Sequence, residues 1–424
     1  MSAILFISLL ICFTVGMPIA FSLGVASVAT LQFGSSLPLT LVPQRLFTAV
    51  DSFPLMAIPF FMLAGGLMDT GGISRRLVDF AHSLVGWIHG GLGMVAVLAA
   101  MFFAGISGAA AADTAAVGSV SIPAMIRKGY KPGFAAAIQA AGGSIGVIIP
   151  PSIPMIIFGV IGGVSIGKMF MGGFIPGILI GVGLMVASYI LSKRAGYKRD
   201  TRASLMEVGS AFRKAFWALL MPIIILGGIM GGIFTPTEAA VVAAIYGLFV
   251  GLFIYRELKL RDLPRIFTQA AVTTSTVMLL IATASIFGWI LTAEQVPQNV
   301  ANYLVSLTDS RFVLYGLILI LLLVVGTFME TTASLIILSP VFLPVIQRFG
   351  IDPVHFGVVM VTALAIGMLT PPLGICLFIS CNIAGIPLSQ IIRHVVPLLV
   401  IMIACLVLIT FVPDLVMFLP NLFG

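Results

Sequence analysis

The chain has 424 residues, of which 60% are hydrophobic and 8% are charged. Because soluble domains carry about a quarter charged residues, this composition excludes an ordinary soluble enzyme or binding domain and indicates an integral membrane protein. The net charge of +7 would suggest a nucleic-acid partner in a soluble protein. In a membrane protein the basic residues follow the positive-inside rule instead, so no nucleic acid is expected.

Apolar runs between charged clusters predict an all-α, polytopic protein, since many reach the roughly 20 residues that cross a bilayer and none alternates like a barrel strand. Nine crossings are predicted, at 3–33, 53–69, 133–163, 169–192, 215–233, 238–255, 266–292, 354–386 and 395–420. Two further stretches, 91–126 and 311–347, are too long for one helix and too short for two. They predict re-entrant helical hairpins with arms of about 15 residues.

Each predicted hairpin follows an amphipathic segment, 73–88 or 294–309, with apolar residues at helical spacing. Both segments predict helices that lie along the membrane surface. The first run, 3–33, lacks a basic leader and is too long for a signal peptide, so we interpret it as a spanning helix.

The chain matches itself at one fixed offset, which places Gly326 opposite Gly105, 221 positions earlier. The matched pairs include Pro123 with Pro344, Arg127 with Arg348, Gly146 with Gly367, Pro150 with Pro371, Pro151 with Pro372, and Pro176 with Pro397. The crossing at 215–233 stands between the two copies, so the second copy enters the membrane from the other side. The prediction is two inverted repeats, 1–192 and 236–424, joined by a basic linker and connecting helix at 193–235.

The basic residues orient this arrangement. Of the 21 Lys and Arg, 17 fall on one side of the predicted topology, and only Arg45, Lys168, Arg311 and Arg348 fall on the other. The positive-inside rule therefore predicts a cytoplasmic N-terminus and a periplasmic C-terminus.

Two proline pairs interrupt apolar runs, Pro150 with Pro151 in 133–163 and Pro371 with Pro372 in 354–386. A proline frees the carbonyl four residues earlier, and an unpaired carbonyl in lipid costs several kcal/mol. The freed carbonyls are those of Gly146, Val147, Gly367 and Met368. Broken helices in inverted repeats are typical of secondary transporters, whose ions and substrates bind at the break, and a hard cation such as sodium suits carbonyl ligands.

The hairpin tips, rich in small and hydroxyl residues, are predicted to face the breaks. The predicted substrate pocket comprises Ser107, Gly108, Asp113, Thr327, Glu330, Thr331, Pro150, Pro151, Pro371 and Pro372. Asp113 and Glu330 either face a cavity or partner, or are hydrogen-bonded in their own hairpin or protonated. Glu238 is predicted in the first turn of a helix capped by Thr235 or Thr237.

Motifs along nearly the whole chain resemble the large membrane subunit, a DctM-like permease, of tripartite ATP-independent periplasmic (TRAP) transporters. They read GMPIAFSLG, IPFFMLAGGLM, SGAAAADTAAVGSVSIPAM, IIPPSIPMIIFGV, SIGKMFMGGFIPG, GIFTPTEAA and TPPLG. The resemblance implies an elevator fold like that of the ion-transporter superfamily. It also implies sodium-driven import of a carboxylate-bearing solute, such as a C4-dicarboxylate, sialic acid or sugar acid, across the bacterial inner membrane.

The resemblance further implies the partners and the ion sites. A periplasmic substrate-binding protein would deliver the substrate, and a small membrane subunit would accompany this chain among the membrane lipids. The implied sodium ligands are Gly105, Ser107, Gly146, Ile149 and Ser152 for one site and Gly326, Gly367, Thr370 and Leu373 for the other. No other metal, no cofactor and no catalytic residue is expected.

Three alternative functions can be compared with a TRAP permease. A stand-alone sodium- or proton-coupled carboxylate carrier would share the design without the binding protein. The sequence GISG at 105–108 resembles a serine protease motif, but no histidine lies in a predicted membrane core to activate the serine. A pure scaffold would not need two symmetric helix breaks.

Overall fold

A computed structural model of the chain describes residues 1–197, 200–308, 310–371 and 374–423. These residues form helices joined by short connections and contain no strand. Within them, eight helices are long and apolar enough to cross a membrane, so the predicted all-α polytopic class is confirmed. Pro372 and Leu373 of the second predicted break lie outside the described residues, as do Lys198 and Arg199 of the linker.

The helices of the first half precede and follow the first proline pair. They are α1 Ser2–Thr14, α2 Ile19–Gly34, α3 Leu41–Val50, α4 Ala57–Thr70, α5 Ile73–Val85, α6 Gly91–Ser107, α7 Ala110–Arg127, α8 Pro132–Ser144, α9 Ile153–Gly162 and α10 Ile166–Arg194. Short 3-10 turns at Phe53–Met56 and Ile145–Val147 precede α4 and follow α8.

The second half begins with a long helix after the linker and then follows a similar order. Its helices are α11 Leu205–Met230, α12 Pro236–Phe249, α13 Leu263–Ala293, α14 Val296–Leu307, α15 Arg311–Phe328, α16 Thr331–Arg348, α17 Pro353–Gly367, α18 Ile375–Ala384, α19 Leu388–Phe411 and α20 Asp414–Phe423. A π-helical turn, Val250–Ile254, extends α12. Thr235 caps α12, and its hydroxyl accepts from the Glu238 N–H at 3.3 Å, which decides the choice between Thr235 and Thr237.

The prediction of a single crossing at 3–33 is wrong. α1 and α2 are separate helices of 13 and 16 residues. Gly16 takes a φ of 79° and Pro18 follows it, and both features end a helix. A Cβ on Gly34 would lie 3.5 Å from the Met1 Cα, so the two helices are antiparallel and both ends of the segment lie on the same side.

The two hairpins are α6–α7 and α15–α16, and their arms of 17 or 18 residues are longer than the predicted 15 or so. The amphipathic helices α5 and α14 precede them in the predicted positions. The first break separates α8 from α9 and the second separates α17 from α18. The inversion of the halves and an elevator motion stay predictions.

The helices pack in two groups. In the first, called here the outer bundle, α13 packs on α2, α3 and α4, and α12 packs on α4. The second, called here the hairpin bundle, contains both hairpins and both broken helices together with α10, α19 and α20. α5 packs on α6 of the hairpin bundle and on α11, and α11 in turn contacts α12 of the outer bundle. The tips and breaks of both halves therefore belong to one packed unit.

Candidate functional site

The tip of the first hairpin lies directly on the first break. The chain turns at Gly108, whose φ of 66° suits glycine. The Ile153 N–H donates to the Gly108 carbonyl at 3.2 Å. A Cβ on Gly108 would lie 2.6 Å from the Pro151 carbonyl oxygen, so only glycine allows this approach. The Pro150–Pro151 peptide in the break is cis.

Asp113 joins the tip to the break. It is fully buried in the first turn of α7, and one of its carboxylate oxygens accepts from the Ser107 hydroxyl. Its other oxygen, Oδ2, has no hydrogen-bond partner among the described residues. A Cβ on Gly146 would collide with Oδ2, so this oxygen lies over the first break. A buried acceptor left unpaired costs about 1–3 kcal/mol, which a cation or a proton would offset.

The expectation that the breaks leave four unpaired carbonyls is wrong for two of them. The Val147 carbonyl accepts from the Ser152 hydroxyl at 2.6 Å, and the Gly367 carbonyl accepts from the Thr370 N–H at 2.9 Å. A short side chain and a tight turn replace the donors that the prolines lack. The Gly146 and Met368 carbonyls accept none of the loop or side-chain hydrogen bonds of the described residues.

The second tip meets its break through glycine backbones. Gly326, near the end of α15, lies so close to Gly367 that a Cβ on Gly367 would be 2.5 Å from the Gly326 carbonyl carbon. The Thr370 hydroxyl donates to the Ile366 carbonyl at 3.2 Å. Pro371 ends the described part of this break, so the predictions for Pro372 and Leu373 lie outside the described residues.

Glu330 stabilises its own hairpin, one of the two roles considered for it. As the N-cap of α16, its carboxylate accepts from the Thr332 N–H at 2.9 Å, the Ala333 N–H at 3.2 Å and the Thr332 hydroxyl at 2.9 Å. The Glu330 side chain is exposed, whereas Thr331 beside it is fully buried and its hydroxyl has no partner within the described part of the chain. Thr327 donates to the Val324 carbonyl of its own helix at 2.7 Å.

Other residues of the first predicted sodium site have local roles. Gly105 packs against Pro222 of α11, and a Cβ there would be 3.9 Å from the Pro150 carbonyl oxygen. Ile149 packs against Gly177 of α10. Ser152 is the N-cap of α9 and accepts from the Met155 N–H at 3.3 Å. The structure thus brings this predicted set to the first break, with Ser152 already engaged in capping.

A cavity of about 560 Å³ extends away from the first tip, between α4, α7 and α13. Ser107 and Ile153 line the end beside the break. Asp69 and Arg265 line the other end, where α4 ends and α13 begins. Arg265, Gln269 and Thr273 recur every four residues and form the α13 wall of the cavity.

The polar wall on α13 is not among the features predicted from the sequence. Its signal is the helical spacing of three polar residues in a mostly apolar helix, but only the packing shows what that face meets.

The sequence profile of the family "Tripartite ATP-independent periplasmic transporter, DctM component" matches residues 6–415. The isethionate TRAP transporter permease protein DctMQ of Oleidesulfovibrio alaskensis is 47% identical over 405 residues, covering 95% of this chain and 64% of that protein. This chain therefore spans less than two thirds of that relative. The C4-dicarboxylate TRAP transporter large permease protein DctM of Pseudomonas aeruginosa is 42% identical, with 95% and 94% covered.

Solved structures of transporters share this fold. The crystal structure of the YdaH transporter of Alcanivorax borkumensis aligns with a TM-score of 0.62 and covers 88% of this chain and 87% of that chain. The two sequences are 16% identical, so the likeness concerns the fold alone.

Proposed function

The chain belongs to the DctM family of TRAP transporter large permeases, and from this premise we propose that it imports a small carboxylate-bearing solute on a sodium gradient. As a member of this family it is a multi-pass membrane transport protein and not an enzyme. The observation that supports sodium coupling most directly is the buried Asp113 Oδ2, which faces the first break and has no hydrogen-bond partner among the described residues.

We propose that a sodium ion is bound at the first break by oxygen atoms, the ligands that hard cations prefer. Asp113 Oδ2 and the Gly146 carbonyl are available there, because neither accepts a loop or side-chain hydrogen bond in the described part of the chain. A bound cation supplies positive charge to this buried carboxylate, whose transfer into a low dielectric is otherwise unfavourable. The second proposed site lies at Gly326, Gly367 and Thr370, where backbone carbonyls would predominate.

An elevator mechanism, with the hairpin bundle moving against the outer bundle, fits the packing. Both tips and both breaks belong to the hairpin bundle, so sites at the breaks would move as a unit. The cavity beside the first tip lies between α7 of the hairpin bundle and α4 and α13 of the outer bundle. Such a cavity gives the substrate a path from the tip to one side of the membrane.

The proposed substrate is a small organic acid such as a C4-dicarboxylate, a sialic acid or a sugar acid. The Pseudomonas relative carries the name of a C4-dicarboxylate transporter. The Oleidesulfovibrio relative is named for isethionate, whose acidic group is a sulfonate. A sulfonate is therefore the second candidate for the acidic group.

The proposed partners are a small membrane subunit and a periplasmic binding protein. The name DctMQ and the greater length of the isethionate relative support the small subunit. A family of tripartite, periplasmic transporters supports the binding protein. The competing possibility, a stand-alone carrier, predicts uptake that needs neither partner.

We propose the bacterial inner membrane as the location and revise the orientation. The first basic residue of the chain is Arg45, so the 17-to-4 distribution of Lys and Arg does not depend on α1 and α2. Because both ends of that helix pair lie on one side, Met1 belongs on the periplasmic side with Arg45. The Ser2 N–H supports this, since it donates to Glu294 at the end of α13 at 3.0 Å. The C-terminus stays periplasmic.

The test is uptake by proteoliposomes. The permease would be reconstituted with a candidate small subunit, supplied with a candidate periplasmic binding protein from the same organism, and offered radiolabelled succinate, N-acetylneuraminate, 2,3-diketogulonate or isethionate. We expect uptake of one solute only when an inward sodium gradient and the binding protein are both present. Uptake without a sodium gradient would contradict the coupling, and uptake without the binding protein would support the stand-alone carrier.

A further inference from the structure

The cavity beside the first tip has two kinds of wall. Small residues of α7, such as Ala112 and Ala115, expose their faces to it and leave room for a solute. The opposite wall on α13 carries an arginine, an amide and a hydroxyl at Arg265, Gln269 and Thr273. All three are exposed, although they begin a helix that is otherwise mostly apolar.

Among the described residues, Arg265 is the single basic residue that lines this cavity. It makes no ion pair with any carboxylate of the described residues. Asp69 lines the same end of the cavity, but its carboxylate accepts from the Ser74 hydroxyl at 2.9 Å. The guanidinium group therefore lines the cavity, and no carboxylate of the described residues forms an ion pair with it. A planar guanidinium binds a carboxylate or sulfonate through two parallel hydrogen bonds, which a lysine cannot reproduce.

We infer that Arg265 binds the acidic group of the transported solute at the end of the cavity away from the tip, with Gln269 and Thr273 lining its path. This inference rests on the proposed function and adds a specificity-determining residue on the outer bundle. Since Arg265 lies on a different bundle from the tips and breaks, it would bind the solute during its transfer between the tip and the cytoplasm. The sodium sites would not depend on it.

A competing explanation is that Arg265 only orients the chain through the positive-inside rule. Arg261 is a matched control for this role, because it is exposed, lies four residues earlier in the turn that precedes α13 and does not line the cavity. Arg265→Lys keeps the charge and removes the fork of donors. Gln269→Leu changes the polar wall without changing the charge.

The test measures thermal unfolding of the purified permease with its small subunit, in sodium chloride, while succinate, N-acetylneuraminate or isethionate is titrated at constant ionic strength. Succinamide, the uncharged analogue of succinate, controls for shape. For the anion that stabilises the wild type, we expect Arg265→Gln to raise the half-maximal concentration about tenfold, the effect of losing one charge-assisted pair. Arg265→Lys should raise it by less, Gln269→Leu by about twofold, and Arg261→Gln should leave it unchanged.

Sodium titration of the same variants separates this inference from the proposed coupling. We expect the half-maximal sodium concentration of Arg265→Gln to match the wild type, which also shows that the variant is folded. Equal anion responses in Arg265→Gln and wild type, or equal losses in Arg265→Gln and Arg261→Gln, would overturn the inference. So would a wild type that responds to sodium and to none of the anions. An Arg265-dependent anion response without a sodium response would retain the inference and reject sodium coupling.

Discussion

The two hairpin tips share a backbone plan and differ in their acidic residues. In the first, Asp113 is fully buried, and one of its carboxylate oxygens lies over Gly146 with no hydrogen-bond partner in the described part of the chain. In the second, Glu330 is exposed and both of its oxygens accept hydrogen bonds at the start of α16. The first acid is available to a ligand and the second is engaged in holding a turn.

The repeat offset shows that the two acids are not equivalent positions. Adding 221 to 113 gives 334, which is Ser334, and subtracting 221 from 330 gives 109, which is Ala109. Ser334 donates to the Glu330 carbonyl at 3.0 Å and so joins the helix cap. The glycines and prolines at the breaks therefore match between the two copies, whereas the acidic residues at the tips do not.

The largest expected difference between the tips is in transport. Asp113→Asn removes the free carboxylate oxygen at the first break, and we expect sodium-driven uptake to fall at least about 100-fold, or about 2.7 kcal/mol. Glu330→Gln keeps an acceptor for the cap, and we expect uptake within about threefold of wild type. Initial uptake rates in proteoliposomes, normalised to the amount of folded protein, measure the effects of both substitutions. Equal losses of uptake in the two variants would show that the two acidic residues do not differ in their importance for transport.

The next largest difference is expected in the stability lost when a glycine at either break is replaced by alanine. Alanine at Gly367 would meet the Gly326 backbone, which cannot rotate away, and we expect a loss of about 2–3 kcal/mol. Alanine at Gly146 would meet the Asp113 carboxylate, which can turn aside, and we expect a loss of about 1 kcal/mol together with weaker sodium binding. Thermal unfolding in choline chloride and in sodium chloride measures the two effects separately. A larger loss for Gly146→Ala would reverse the order that the contacts predict.

Ser107 and Thr327 provide a smaller test of the same difference. Ser107 donates to Asp113, whereas Thr327 donates to the Val324 carbonyl of its own helix. We expect Ser107→Ala to weaken sodium stabilisation about fivefold, in line with the roughly 1 kcal/mol of a typical hydrogen bond, and Thr327→Ala to change it little. Sodium titrations of the unfolding midpoint make the comparison. A Thr327→Ala effect equal to that of Ser107→Ala would argue for two equivalent tips.

The smallest expected effect is at the bases of the hairpins. Lys128 donates to Asp200 of the linker at 2.7 Å, and this bond, joined by one from His82, holds the pKa of Asp200 below its usual value. Since the folded pKa is the lower one, the contribution is present above the pKa of the unfolded chain and is lost as pH falls through the folded pKa. At the second base, Arg348 donates to the neutral amide of Asn302.

We therefore expect Asp200→Asn to lower stability by less than about 1 kcal/mol at neutral pH, with a difference from wild type that shrinks in acid. Asn302→Ala should have an effect of similar size that does not vary with pH. Unfolding midpoints of both variants across a pH series measure this. A pH-independent Asp200→Asn effect would show that charge does not stabilise the first base.

Much of the fold could be predicted because prolines, glycines and apolar length act locally. The proline pairs located both breaks, and the amphipathic segments located α5 and α14. The single crossing at 3–33 was wrong because hydropathy does not register the turn that Gly16 and Pro18 impose. Composition alone also could not show that the α1 and α2 helices return to one side.

The site was predicted less completely, because its chemistry depends on which side chains meet. A freed carbonyl can be inferred from a proline, but the Ser152 hydroxyl that satisfies Val147 comes from the turn beyond it. The spare oxygen of Asp113 and the capping role of Glu330 could not be separated from sequence, since both are acids near hairpin tips. The cavity wall at Arg265 required the packing of α13 against α4.

The most direct test of a cation site at the first break is thermal unfolding of the purified permease in sodium chloride, potassium chloride and choline chloride at equal ionic strength. A ligand at a hundredfold excess over its Kd stabilises the folded state by about 2.7 kcal/mol. We predict a sodium-specific rise in the wild-type midpoint that Asp113→Asn reduces by at least half and Glu330→Gln leaves intact. Equal midpoints in the three salts, or an undiminished sodium response in Asp113→Asn, would contradict this account.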